Sequence, residues 1–216
     1  MLGNTELSPV LQRVERYMPK LRKAEKETGE KKLYAVNVTD EPEKCIKLAE
    51  AAVDIGANAL LVNYLPAGLG LITSLCRNPK IKVPILAHLD FGGALYARLA
   101  GVDLLCIPTP YGKFSLNYTK YIQIVHGLRS PFHDMPGVWP IAGGAIKQGH
   151  IPKLFSDLGC DFIIGAGGAI NAHPMGTAAG ARAFRQGIDL MMKYGKLESE
   201  ELGQELKVAI EAWGGI

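Results

Sequence analysis

The chain has 216 residues and is 48% hydrophobic, long enough for one well-buried domain (1–216) and short for two. Its 24 basic and 21 acidic side chains leave a net charge of +3, too balanced to make nucleic acid or a membrane surface the main partner. No apolar run approaches the roughly 18 residues of a membrane span, and Met1-Leu2-Gly3-Asn4-Thr5-Glu6 does not pair a basic stretch with an apolar one. A cytoplasmic location is therefore expected. Cys45, Cys76, Cys106 and Cys160 form no Cys-x-x-Cys pair and sit in or beside apolar segments, as reduced core thiols would.

In chain order, Ser8-Pro9 followed by Val10, Leu11, Val14, Met18 and Leu21 predicts a helix with Pro9 at its first position, kinked or restarted at Pro19 and ending at Gly29. Apolar runs of strand length then alternate with helical patterns. The strands are predicted at 33–38, 59–64, 83–88, 102–107, 138–142 and 162–165. Helices are predicted near 41–55, 67–77, 92–100, 116–129 and 147–158, with 177–194 and 198–213 closing the chain. The strand runs are nearly continuous in apolar residues, as expected when both faces of a parallel sheet are covered. The fold class this predicts is α/β, a (βα)6 pattern two units short of an eight-unit barrel. The crossover from His88 to Val102 is tight, because a connection with its own helix needs at least about 10–12 residues.

Two of the strands run into glycine turns. Val138-Trp139-Pro140-Ile141-Ala142 leads to Gly143-Gly144-Ala145-Ile146, and Asp161-Phe162-Ile163-Ile164 leads to Gly165-Ala166-Gly167-Gly168. A backbone without Cβ atoms lets N–H groups approach an anion closely, so Gly165, Gly167 and Gly168 read as a phosphate cradle. These turns fall after the last two strands, where barrel enzymes commonly hold a substrate phosphate.

Several segments carry a family resemblance: 29–40 (GEKKLYAVNVTD), 56–63 (GANALLVN), 84–88 (PILAH), 142–146 (AGGAI) and 166–176 (AGGAINAHPMG). Together they resemble the C-terminal barrel domain of ribulose bisphosphate carboxylase (RuBisCO) large chains, and the RuBisCO-like proteins more closely than the true carboxylases. The resemblance implies a TIM-type (β/α) barrel, truncated to about six strands. It implies that the backbone of Gly143, Gly144, Ala145, Gly167 and Gly168 binds a substrate phosphate. His88 corresponds to the histidine ending the fifth barrel strand, and Lys113 to the lysine of the mobile sixth loop.

The departures matter as much. The family's Lys-x-Asp-Asp-Glu type run, which binds Mg2+, is not in this sequence, so Mg2+ is expected for the family without ligands from this chain. Leu89 stands where carboxylases have an arginine, and Gly143 where they have a serine. The implied function is that of a RuBisCO-like relative of enolases or isomerases acting on phosphorylated sugar-like ketones, as in methionine salvage, without carboxylation. Two alternatives stay open: a non-catalytic binder of a phosphorylated small molecule, and one part of a split or homo-oligomeric assembly that covers the apolar surface of an incomplete barrel.

Enolisation needs a base near the proton α to a carbonyl and a metal or fixed cation for the developing enolate. His88 reads as that acid–base group or as a buried histidine bonded to backbone, and Lys113 as a cation closing over an anionic substrate or as an exposed loop residue. Lys147 adds charge near the glycine turns or simply decorates the first turn of a helix. Among the carboxylates, Asp40 reads as a helix cap, Asp90 as a loop residue, and neither joins Glu41 or Asp134 in a spaced cluster. His173, before Pro174, reads as a turn-shaping residue, and Asn37 and Asn63 as satisfied interior amides.

Overall fold

A computed structural model describes residues 3–88, 93–114, 116–197 and 201–214. Leu89 and Asp90 lie outside the described residues. The chain divides into two compact units, Met1–Cys106 with Gly127–Val138, and Ile107–His126 with Trp139–Ile216.

The first unit opens with α1 (Val10–Thr28), whose buried face is Val10, Val14 and Met18, one residue per helical turn. Pro9 is the N-cap rather than the first helical residue. Pro19 sits exposed inside helix that continues through it, so the helix does not restart there. Gly29 ends α1 in the left-handed region at φ 71°, its N–H donating to Glu25 O, as a glycine without a Cβ penalty allows. Then come β1 (Ala35–Asn37), α2 (Pro42–Asp54), β2 (Ala59–Asn63), α3 (Tyr64–Cys76), β3 (Ile85–His88), α4 (Ala94–Ala100) and β4 (Leu104–Pro108), which runs on into the second unit. The pairings β1–β2, β2–β3 and β3–β4 are all parallel, with Asn63 beside His88 in the register. The tight crossover is accommodated by shortening its helix to the seven residues of α4.

β4 is buried at four of its five positions, as its continuous apolar run implies. β3 alternates instead, with Ile85 and Ala87 buried and Leu86 and His88 half-exposed. The expectation of two covered faces therefore fails for β3, whose second side is only partly covered. Asp40 does not cap α2 with its side chain. Glu41 holds the N-cap position, and Asp40 Oδ1 accepts the Glu41 N–H at 2.8 Å.

The least expected feature of this unit is Arg98 on α4, only 3% exposed. Its guanidinium donates to four main-chain carbonyls of the 127–136 segment: Pro136 at 3.0 Å, Gly127 at 3.2 Å, Ser130 at 2.8 Å and Met135 at 2.9 Å. A planar group with five donors can satisfy a turn that has no regular ladder of its own, which offsets the cost of burying the charge.

The second unit holds α5 (Tyr118–Arg129) up to His126, β5 (Trp139–Gly143), a single 3-10 turn (Gln148–His150), α6 (Ile151–Leu158), β6 (Ile163–Ile164), α7 (Gly167–Asn171), α8 (Thr177–Tyr194) and α9 (Gln204–Trp213). α7 was not anticipated, since a Gly-Gly start has poor helix propensity. β5 and β6 pair in parallel, Ile141 with Ile163 and Ala142 with Ile164. α8 and α9 close over a core of Ala183, Leu190, Leu206 and Ala209. Beside it Glu205 accepts from Arg182 Nε and Gln186 Nε2, both at 2.7 Å, and these donors hold its carboxyl down to about 2. The six strands and intervening helices make this an α/β fold.

Burial pushes the thiols of the buried Cys45 and Cys106 up to about 11 and that of the partly buried Cys76 up to about 12, which disfavours the reactive thiolate. Cys160 is exposed, contrary to the expected core position, because Gly159 turns the chain out at the end of α6. Among the described residues no helix is long and apolar enough to cross a membrane.

Candidate functional site

The glycine turns after β5 and β6 lie side by side. The Gly165 N–H donates to Ala142 O at 2.7 Å, extending the strand pairing by one bond. A Cβ on Gly165 would stand 3.3 Å from Gly143 Cα, so glycine there permits the close approach of the two turns. The same bond removes Gly165 from the predicted cradle, because its donor is spent inside the sheet. Gly167 and Gly168 remain. Both are exposed, with nothing within 4 Å of where a Cβ would stand. They open α7, whose first-turn N–H groups precede the Ile170 N–H to Ala166 O bond and so have no partner within the helix.

After β5 the chain turns through two consecutive left-handed residues, Gly144 at φ 91° and Ala145 at φ 64°. Glycine takes this region freely, whereas alanine does so at a cost of about 1–2 kcal/mol. Such local strain persists where the surroundings over-determine it. Here the loop after β4 does part of that: the Lys113 N–H donates to Gly144 O at 2.7 Å. Gly112 lies against the same carbonyl so closely that a Cβ would run into its oxygen. Lys113 and Gly144, 31 positions apart, are thereby brought together. The Lys113 ammonium is exposed, 5.7 Å from the centroid of the Phe114 ring.

Tyr111, next in the same loop, donates its hydroxyl to Asp157 Oδ2 on α6 at 2.7 Å, and Tyr118 donates to Oδ1 of the same carboxylate at 3.0 Å. Burial, then the Asp157 carboxylate, raises the Tyr111 phenol, while the bond to Asp157 raises that of Tyr118. Lys153 Nζ lies 5.5 Å from the centroid of the Tyr111 ring. His150 Nδ1 accepts the Lys147 N–H at 3.2 Å, so Lys147 initiates the 3-10 turn. Burial, with Lys147 and Lys153 nearby, lowers the His150 pKa. Gly112, Tyr111, Tyr118 and Asp157 were not singled out from the sequence. The tyrosine–carboxylate pairs span 46 and 39 positions and belong to no local motif.

The remaining candidates belong to other segments of the chain. His88 ends β3 in the first unit, half-buried, and burial lowers its pKa. Asn37 Oδ1 accepts from the Thr39 N–H at 3.0 Å and the Thr39 hydroxyl at 2.6 Å, while Thr39 Oγ1 accepts the Asn63 N–H at 2.9 Å. The Asn37 carbonyl is thus satisfied within the strand ends. His173 is 4% exposed and structural: Nδ1 accepts the Met175 N–H at 3.1 Å, which puts the proton on Nε2 for its 3.0 Å bond to Glu205 O. Among the described residues no three His, Cys, Asp or Glu side chains gather into a metal site.

The family described as "Ribulose bisphosphate carboxylase large chain, catalytic domain" matches residues 1–99 and 92–213. A ribulose bisphosphate carboxylase-like protein from Archaeoglobus fulgidus is 43% identical over 209 residues, covering 89% of this chain and 48% of that protein. A 2,3-diketo-5-methylthiopentyl-1-phosphate enolase from Geobacillus thermodenitrificans is 32% identical over 234 residues, covering 100% of this chain and 56% of the enolase. The chain thus spans about half the length of the curated relatives it matches. The crystal structure of an octameric ribulose-1,5-bisphosphate carboxylase/oxygenase from Pyrococcus horikoshii superposes with a TM-score of 0.90 at 28% identity, over 98% of this chain and 55% of that one. The six strands are those of a RuBisCO-type (β/α) barrel, and the chain belongs to the family of the RuBisCO large-chain catalytic domain.

Proposed function

We propose that this chain supplies the phosphate-holding part of a RuBisCO-like, non-carboxylating protein related to enolases of phosphorylated sugar-like ketones. The observation that carries the reading is the pair of glycine turns, Gly143-Gly144-Ala145 beside Gly167-Gly168, with the Lys113 loop bonded to Gly144. Open backbone donors with a lysine on the bonded loop suit a phosphate monoester, and helix N-terminal N–H groups need no acidic partner to bind one. The enolase named among the relatives acts on a phosphorylated diketone, which supports that substrate class. In this reading Lys113 supplies positive charge to the substrate. By resemblance His88, at the end of β3 in the first unit, is the proton-exchanging candidate, and burial lowers its pKa, which favours the neutral imidazole that accepts a proton.

Mg2+ belongs to the family's chemistry, and among the described residues no three His, Cys, Asp or Glu side chains gather to hold it. That observation also favours a second reading, a non-catalytic binder of phosphorylated ligands. Association with another copy or with a complementing chain fits the exposed Leu65 and Leu69 of α3 and Leu95, Tyr96 and Leu99 of α4.

The test is calorimetric titration with ribulose 1,5-bisphosphate, with Mg2+ and with EDTA, on the parent chain and on Gly167→Ala and Gly168→Ala. A Cβ at either position meets no protein atom within 4 Å, so both variants should fold normally. Expected are binding that survives EDTA and a loss of at least about tenfold in each variant, as the methyl blocks close approach of the ligand. No binding by the parent, or full affinity in both variants, rejects the phosphate site. Mg2+-dependent turnover by the purified chain would reject the non-catalytic reading and require a metal site in it.

A further inference from the structure

The structure assigns Asp157 the role of a positioning residue that holds the Lys113 loop on the Gly144 turn by bridging the hydroxyls of Tyr111 and Tyr118. Its two carboxylate oxygens are used separately, Oδ2 for Tyr111 at 2.7 Å and Oδ1 for Tyr118 at 3.0 Å. The two tyrosines stand on either side of Lys113, one near the start of the loop and one at the first residue of α5. A single carboxylate on α6 therefore ties down both ends of the segment that carries the lysine.

A phenol donating to a carboxylate is a charge-assisted bond, stronger than one between neutral groups. Two longer bonds also hold the loop. The Tyr111 N–H reaches Thr109 Oγ1 at 3.3 Å, and the Leu116 N–H reaches Thr109 O at 3.5 Å. A short main-chain bond, from Lys113 to Gly144, lies between the tyrosine anchors, and Gly112 packs so closely against the same carbonyl that a Cβ would collide with it. Releasing the anchors frees the lysine and removes a support from the left-handed turn at Gly144 and Ala145. The consequence for a ligand rests on the phosphate reading of the turns; the seating of the loop does not.

The two are separated by measuring them apart. In the 216-residue chain, backbone amide exchange by NMR is compared for the parent, Asp157→Ala and Tyr111→Phe/Tyr118→Phe. Expected is exchange of the Lys113 amide faster by about tenfold or more in both variants, with the Gly165 amide, bonded to Ala142, unchanged. An unchanged Lys113 amide, or equal acceleration at Gly165, overturns the assignment. Inorganic phosphate is then titrated into the parent, Asp157→Ala, Lys113→Ala and the double variant. Asp157→Ala should weaken binding about tenfold when Lys113 is present and have no effect when it is absent. An undiminished effect in the Lys113→Ala background means that Asp157 does not act through the lysine. Failure of the parent to bind phosphate rejects the phosphate site, while the exchange measurement still decides the anchoring.

Discussion

Arg98 in the first unit and the Gly143–Ala145 turn in the second solve opposite problems. In the 127–136 segment, main-chain carbonyls need donors, and a buried side chain supplies four of them. At the glycine turn the chain removes side chains, accepts two left-handed residues and leaves its backbone approachable. A polar network whose donors and acceptors are matched stabilises a fold. A turn held open under strain is suited to binding. The contrast predicts that substitutions in the first region register as stability and in the second as affinity.

The largest expected effect tests the first half. Arg98→Met keeps the apolar stem but strands four carbonyls, and should cost about 3–4 kcal/mol in urea denaturation. A loss below about 1 kcal/mol would mean that water replaces the guanidinium. Gly112→Ala comes next, because its methyl collides with Gly144 O; a loss of about 1–3 kcal/mol is expected together with weakened phosphate binding. Stability lost with affinity intact would blur the contrast.

Ala145→Gly should go the other way. Relieving a φ of 64° is expected to raise stability by about 0.5–1 kcal/mol, read as a higher thermal midpoint, where alanine to glycine in ordinary helix lowers it. The smallest effect is in pH. His150 accepts the Lys147 N–H and is held below its ordinary value of 6.5, so the unfolded chain binds its proton more tightly than the fold does. Its contribution to stability is therefore present above pH 6.5 and is lost as pH falls through the lower folded value. His150→Gln should flatten that part of the stability–pH curve, and NMR titration should place the His150 midpoint below 6.5.

Much of the fold was legible because its signals are local. Six apolar runs marked six strands to within about two residues at each end, and Gly29 marked the end of α1 through its φ requirement. The glycine turns were legible for the same reason, since close backbone approach demands the missing Cβ wherever the chain goes. Pro19 misled because an exposed proline on a long helix loses one hydrogen bond without meeting a packed neighbour. Gly165 misled because its donor is claimed by Ala142, a partner 23 positions away that no local pattern announces.

The sequence by itself determined the alternation of strands and helices, the glycine turns after the last two strands and, through its longer motifs, the family. Only the tertiary structure decided which polar groups are spent and which are left. It drew Arg98 into the core to serve a distant turn, took Gly165 into the sheet, and gathered Tyr111 and Tyr118 on Asp157 around the Lys113 loop. Propensity and periodicity act over a few residues, whereas satisfaction of hydrogen bonds is settled between segments tens of residues apart, after the chain has packed.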